Sequence, residues 1–417
     1  MNQSMRLVPA GLALIAVSYG LARFAYGLFL PEMRDDVGLS PAIAGLVGGG
    51  AYAGYCVAIV GSAFLVERLG ARVVAGTAGL VATVGMFSIA LSTGPWALAA
   101  SVLFAGISTG LASPPMAEAV ARVIPAERQP QANTLINSGT SVGVALSGPI
   151  ALAATGHWRE AYLLFAAAAA VVTLWIVLTV PGLRTTAVRP RSSVSGADCV
   201  GLARAGSLPL VTAATGMGFA SAAYWTFAGE VIVEIGGLPQ GASGLAWVVI
   251  GVSGLVGGAA GELIRRFEIN AVHRAFLLAL GLACLALGVM PSYVSIAFVS
   301  AALFGAAYIM LTGVYLVWGV RVFSDRPAIG LGLPFLMIAV GQVIGAPIAG
   351  AIIDAANHKM TFIVFSAIAA ITAATAYRER CSVTTRRPCP GPCRAAPSPS
   401  GECAGVYECG DASMRAK

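Results

Sequence analysis

Charge is what this chain has least of. Only 10% of its 417 residues are Asp, Glu, Lys or Arg, against about 25% in soluble domains. So few charges cannot cover a water-facing surface of this size, which excludes a soluble enzyme and a nucleic-acid-binding protein. Lysine occurs only at Lys359 and Lys417, so the formal charge of +7 rests on arginine. No Gly-x-x-x-x-Gly-Lys segment exists to hold a nucleotide phosphate. Cysteine is thin until the end, where five of the eight follow Arg378. Cys389, Cys393, Cys403 and Cys409 have spacings that match no standard zinc pattern, and no disulfide, metal or other cofactor is expected.

What the chain has is apolar length: 58% hydrophobic residues and a mean hydropathy of +0.84. About 20 apolar residues cross a bilayer as a helix, because lipid offers no partner for backbone N–H and C=O groups. Twelve such runs fall near 7–30, 42–66, 73–92, 96–120, 132–154, 159–180, 208–233, 242–264, 272–290, 293–320, 328–353 and 360–377. The first continues too far to be a signal-peptide core. The expectation is an all-α integral membrane protein of twelve transmembrane helices. With the N-terminus inside, fourteen arginines fall in inner segments before a basic tail, and only Arg34, Arg159 and Lys359 fall in outer loops. The positive-inside rule then puts both termini in the cytoplasm, the cell inner membrane of a bacterium being the expected location.

The sequence also repeats. Gly-Leu-Ala-Arg-Phe-Ala-Tyr-Gly-Leu-Phe-Leu-Pro-Glu from Gly20 is echoed by Gly-Phe-Ala-Ser-Ala-Ala-Tyr-Trp-Thr-Phe-Ala-Gly-Glu from Gly218. Gly143 and Pro149 return as Gly341 and Pro347, and Arg122-Val as Arg321-Val. Matched charges at matched loops point to two pseudo-symmetric six-helix bundles, 1–180 and 207–377, with 181–206 as a cytoplasmic linker and 378–417 as a disordered Cys/Pro-rich tail.

Six plus six helices, parallel repeats and a basic central loop resemble the major facilitator superfamily of secondary transporters. Its loop 2-3 signature corresponds to Ala63-Phe-Leu-Val-Glu67-Arg68-Leu-Gly70-Ala71-Arg72, with Ala for the first Gly and Glu for Asp. Its fifth-helix signature corresponds to Gly139, Gly143 and Gly148-Pro149. Ala22-Arg23-Phe24-Ala25-Tyr26 with Leu30-Pro31 resembles the YbfB-type branch. The resemblance implies alternating access, with loop 2-3 latching against the fourth and eleventh helices. The Arg often found on the family's fourth helix falls here at Val102, so that coupling scheme is not expected.

Arg23 is the sharpest candidate. It lies about 24 Å along the first span at 1.5 Å per residue, and a central Arg costs about 2.5–3.5 kcal/mol to insert unless it is paired or wetted. Two roles fit it: engaging an anionic group of the substrate, or hydrogen-bonding helix ends to hold the bundle. Tyr19, Arg23 and Tyr26 share a face at i, i+4, i+7 spacing, and Tyr224 with Trp225 repeats Tyr26 in the second half. Asn133 and Asn137 form a second polar stripe, Tyr308 and Tyr315 a third, and Gln342 is a lone buried amide. Each stripe fits either a substrate cavity or inter-helix hydrogen bonding. Glu230 is the candidate proton-coupling carboxylate, the alternative being a solvated group or one paired with Arg23. Glu67, Arg68, Arg72 and Glu118 are candidate gating charges, and Gly143, Gly148 and Pro149 candidate pivots.

The Gly-x-Ser-x-Gly of Gly139–Gly143 lies inside a span rather than on a strand-to-helix turn. His157, His273 and His358 fall in or beside loops, so no serine has a base and no catalytic residue is expected. The expected partners are a small-molecule substrate, protons and the lipid bilayer, and the expected state is a monomer. Drug or metabolite efflux, and a transport-inactive sensor or scaffold, remain as competing readings.

Overall fold

The computed structural model describes residues 3–182, 206–324 and 326–377, so most of the expected linker and all of the tail lie outside the described residues. Every regular element among the described residues is helical. α1 runs through Gln3–Ile15, a π-helical Ala16–Phe24 and Tyr26–Val37. It is followed by α2 (Pro41–Leu69), α3 (Ala71–Ala90), α4 (Pro95–Val123), α5 (Ala126–Ala153) and α6 (Trp158–Thr179). After the undescribed stretch come α7 (Ser207–Glu230), α8 (Gln240–Phe267), α9 (Ile269–Val289), α10 (Val294–Val322), α11 (Pro327–Ala355) and α12 (His358–Thr372). The ends follow local chemistry. Ser40 and Asn357 cap α2 and α12 by accepting the N–H of Ile43 and Met360, and Pro41, Pro95 and Pro327 open their helices where no donor is needed. Gly38 ends α1 at φ 71°, a left-handed turn that glycine adopts without strain.

Ten of these helices are long and apolar enough to cross a membrane. The expected seventh and twelfth spans form helices that differ from the other ten. α7 carries Thr212, Thr215, Ser221 and Thr226, and every residue from Ala220 to Glu230 is buried. A helix sheathed by its neighbours needs no greasy exterior. α12 has 15 residues and stops at Thr372, short of the expected 377. Thr372 and Thr375 donate their hydroxyls back to the carbonyls of Ile368 and Thr372, a local bonding that competes with helix continuation.

α5 packs on α1 as α11 packs on α7, and α2 on α4 as α8 on α10. The glycine repeat explains the first likeness: a Cβ at Gly143 would overlap the Ala16 carbonyl, and one at Gly341 the Thr215 carbonyl. Backbone meets backbone at both places. The first six helices meet the last six along α1–α7, α2–α11 and α5–α8, again through glycine. Gly27 lies against the Trp225 carbonyl, Gly45 against Ala346, Gly350 against Pro41 and Gly148 against Gly244. Most of these approaches lie toward the end of the helices that carries Arg34. At the opposite end, which carries Arg72, Glu67 and Arg68 are exposed, and a Cβ at Gly61 or Gly332 would meet nothing within 4 Å.

Candidate functional site

Arg23 is 6% exposed and lies in the π-helical segment of α1, a winding that recurs at functional sites. Its Nη2 donates to Gln342 Oε1 of α11 at 2.8 Å. Gln342 Nε2 donates in turn to the Tyr308 hydroxyl of α10 at 3.2 Å and to Ser221 Oγ of α7 at 3.4 Å. Ser221 is the repeat mate of Arg23, so the two equivalent positions end in one network. Around the guanidinium, ring centroids of Tyr52 and Tyr55 on α2 stand 4.3 and 4.8 Å from Cζ, with Phe24 at 5.0 Å and Tyr19 at 5.8 Å. Cation–π attraction of this kind is worth about 0.5–2 kcal/mol per ring, the higher values where water is excluded. Tyr19 is fixed by its hydroxyl 3.0 Å from Ser113 Oγ of α4. Phe24 stacks on Trp225 at 4.1 Å, and Trp225 meets Tyr308 edge-on at 5.2 Å. The turn from π to α winding directs the N–H groups of both Leu28 and Phe29 to the Ala25 carbonyl. The Phe24 carbonyl accepts instead from Trp247 Nε1 of α8 at 3.2 Å.

No carboxylate pairs with Arg23 among the described residues. Its Nε and the Trp225 Nε1 are buried donors with no acceptor in good hydrogen-bond geometry, the Tyr52 hydroxyl lying near the guanidinium and the Tyr308 hydroxyl near the indole. The node is therefore positive, rich in donors and walled by rings.

A second polar cluster lies toward the other end of α1. Glu230, fully buried, pairs with Arg34 of α1, and its Oε1 lies 2.7 Å from His358 Nε2 of α12. Asp35 and Glu234 are within electrostatic reach of this cluster, and Tyr26 of Glu230 itself. The cluster corrects two expectations. Glu230 is neither solvated nor paired with Arg23, and Arg34 is not a free loop charge: it occupies the last turn of α1, where Nε also donates to the Leu39 carbonyl at 3.1 Å. Nearby, Asp36 pairs with Arg159 and accepts from Trp158 Nε1 at 3.1 Å, while Asp354 of α11 accepts the N–H of Ala42 on α2 at 3.0 Å.

The structure brings Arg23, Tyr19, Trp225, Tyr308 and Gln342 together and leaves the other candidates elsewhere. Tyr26 departs from the Tyr19–Arg23 stripe because π-helical winding takes more residues per turn than the 3.6 assumed; its hydroxyl donates to the Ala44 carbonyl at 3.0 Å. Tyr224 packs among the last six helices, stacked on Phe304 at 3.9 Å with its hydroxyl 2.9 Å from Ser300 Oγ. Tyr315 belongs to a cluster with His273 and Trp318. His273 is itself fully buried rather than a loop residue, since α9 begins four residues before it. Asn133 is half-buried and Asn137 exposed on α5. Of the gating candidates, Arg72 Nε donates to the Val180 carbonyl at the end of α6 at 2.6 Å, and Glu118 accepts from Arg122 one turn on at 2.7 Å. Gly143 and Gly148 are pressed against α1 and α8, and Pro149 follows on an exposed face of α5.

Sequence reasoning missed Tyr52, Tyr55, Phe24, Ser113, Arg34 and His358. The tyrosine pair carried a signal, two rings at i, i+3 at the end of the glycine-rich Gly45–Gly54 stretch. The others carried none, because only the fold places them.

A curated relative, the transcription regulatory protein OpdE of Pseudomonas aeruginosa, is 25% identical over 375 residues, covering 87% of this chain and 90% of that protein. Among solved structures, the nucleoside transporter NupG superposes with a TM-score of 0.73 at 16% identity, over 89% of this chain and 98% of that one. A bacterial homologue of the human lysosomal transporter Spinster, in an inward-facing and unoccupied conformation, superposes with a TM-score of 0.71 at 15% identity, over 89% and 96%. These likenesses support a multi-pass membrane protein of transporter fold. The Major Facilitator Superfamily model matches residues 12–333, and the chain belongs to that superfamily.

Proposed function

We propose that the chain is a proton-coupled secondary transporter that carries a small anionic solute by alternating access, binding it at Arg23. The carrying observation is a buried arginine that bonds across the first and last six helices and has no carboxylate partner among the described residues. A guanidinium held this way favours an incoming carboxylate or similar oxyanion. The likeness of the α1–α5 and α7–α11 packing supports two six-helix halves, 1–180 and 207–377, rocking about this node. The helices α7 and α12 complete twelve spans, both termini face the cytoplasm, and the protein acts as a monomer in a bacterial inner membrane. Close glycine packing at the Arg34 end, with exposed charges at the Arg72 end, corresponds to a state closed outside and open inside. In that state the latch charges Glu67, Arg72 and Glu118 are apart.

Coupling is assigned to the Arg34–Glu230–His358 cluster, which joins α1 to α7 and α12. Protonating Glu230 removes the charge that holds Arg34 and releases the clasp, so outward opening takes up a proton. Counterflow of a panel of labelled carboxylates into proteoliposomes tests the carrier. Uptake that falls to background in Arg23→Ala, and that loses its response to an imposed pH gradient in Glu230→Gln, is expected. Unchanged uptake in Arg23→Ala removes Arg23 from the path, and an intact pH response in Glu230→Gln removes the clasp from coupling. The regulatory name of OpdE favours a second reading, a transport-inactive sensor, and no counterflow for any solute in a broad panel supports it.

A further inference from the structure

Along most of the seam between the first and last six helices, glycine lies on backbone: Gly27 against Trp225, Gly45 against Ala346, Gly148 against Gly244. Helices that close leave no volume between them. At the depth of Arg23 the pattern changes. Phe24 and Trp225 stack face to face at 4.1 Å across α1 and α7, and Tyr308 closes on Trp225 at 5.2 Å. Tyr52 stands 4.3 Å from the guanidinium on the other side. Side-chain rings rather than glycine contacts fill the seam here, so a ring-sized slot would form where two of them turned aside.

The polar inventory of the slot is one-sided. Arg23 Nε and Trp225 Nε1 are buried donors that reach no acceptor in good geometry, with only the Tyr308 hydroxyl near the indole, and a buried polar group left poorly paired is costly. Tyr308 already accepts from Gln342, so its own proton is free to give. An uncharged ring would leave these donors idle. A dianion would need a second cation, and Arg23 is the one charge in this node. An aliphatic acid would satisfy the donors but not use the ring faces, where stacking adds about 0.5–1.5 kcal/mol per pair beyond buried area.

We infer that the solute bound at Arg23 is a planar aromatic monoanion, of the aromatic monocarboxylate class, with its carboxylate on Arg23 Nε and Trp225 Nε1 and its ring between the aromatic side chains of α1, α2 and α7. This rests on the Arg23 reading above, and the test separates the two. Benzoate, cyclohexanecarboxylate and benzamide are titrated calorimetrically into the purified full-length protein in detergent. Benzoate is expected to bind about tenfold more tightly than cyclohexanecarboxylate, the ratio that one good stacking pair provides, and benzamide not to bind. Trp225→Phe, which keeps an aromatic ring and removes the N–H, is expected to weaken benzoate several-fold with only a modest fall in melting temperature from the smaller ring. Equal affinity for the two acids overturns the aromatic assignment and leaves the anion site standing. Benzamide binding as tightly as benzoate overturns both, and failure of all three to bind overturns the aromatic assignment while carboxylate counterflow decides the carrier independently. Unchanged benzoate affinity in Trp225→Phe removes Trp225 from the site.

Discussion

Two arginines on α1 cross the same seam and meet opposite company. Arg34 finds Glu230, a carboxylate with no solvent access, and His358 beside it. Arg23 finds the neutral amide of Gln342 and a ring of aromatic faces. The first charge is cancelled within the protein, and what it holds together is the protein. The second is only partly offset by ring quadrupoles, which cannot take its hydrogen bonds, so Nε stays unpaired. One arginine is a clasp between helices, and the other keeps a buried donor for the anion proposed above.

The largest expected effect breaks the clasp. Arg34→Met strands the buried Glu230 charge with only His358 beside it, and breaking a buried pair from one side costs about 3–5 kcal/mol. Arg34→Met with Glu230→Met should recover most of that loss, because neither charge then remains. Arg23→Met should cost less, about 1–2 kcal/mol, because it strands only the neutral Gln342 Oε1 and no carboxylate. Chemical denaturation in detergent measures all three, and an equal loss for the two single variants would erase the distinction. Binding should follow the reverse order. Arg23→Met is expected to cost benzoate about 100-fold, close to 2.7 kcal/mol, and Arg34→Met little. A smaller effect is expected from Gln342→Glu, which gives Arg23 the partner that Arg34 already has. Benzoate must then compete with an internal carboxylate, and affinity should fall about tenfold. Unchanged affinity in that variant would mean that the Gln342 side of the guanidinium is not where the anion approaches.

Arg23 was legible from the sequence because a charge in an apolar run stands out, and the helical architecture because twelve runs at spanning length leave few other folds. The two-part repeat was legible for the same reason that Gly143 and Gly341 now make matching contacts. Arg34 was read as a loop charge because it lies beyond the apolar run that ends near 30, and composition cannot say that Glu230 of α7 meets it. Tyr52 and Tyr55 went unmarked in a glycine-rich helix, and only the fold brings their rings to the guanidinium. The position of Tyr26 could not be read at all from a 3.6-residue period, since the period itself changes between Ala16 and Phe24.

That change of period supports the smallest prediction. On a regular helix Tyr26 would stand with Tyr19 and Arg23, and losing its hydroxyl would weaken binding. In the structure its hydroxyl serves Ala44 on α2, whereas the Tyr308 hydroxyl holds Gln342 against Arg23. Tyr26→Phe should therefore destabilise the protein by about 1 kcal/mol, the worth of one buried hydrogen bond, and leave benzoate affinity as it was. Tyr308→Phe should weaken benzoate several-fold at similar stability cost, because Gln342 loses one of the two hydroxyls that accept from its Nε2. Denaturation and calorimetry on both variants set stability against affinity. A loss of affinity in Tyr26→Phe as large as in Tyr308→Phe would return Tyr26 to the Arg23 face and undo the separation of the two arginine clusters along α1.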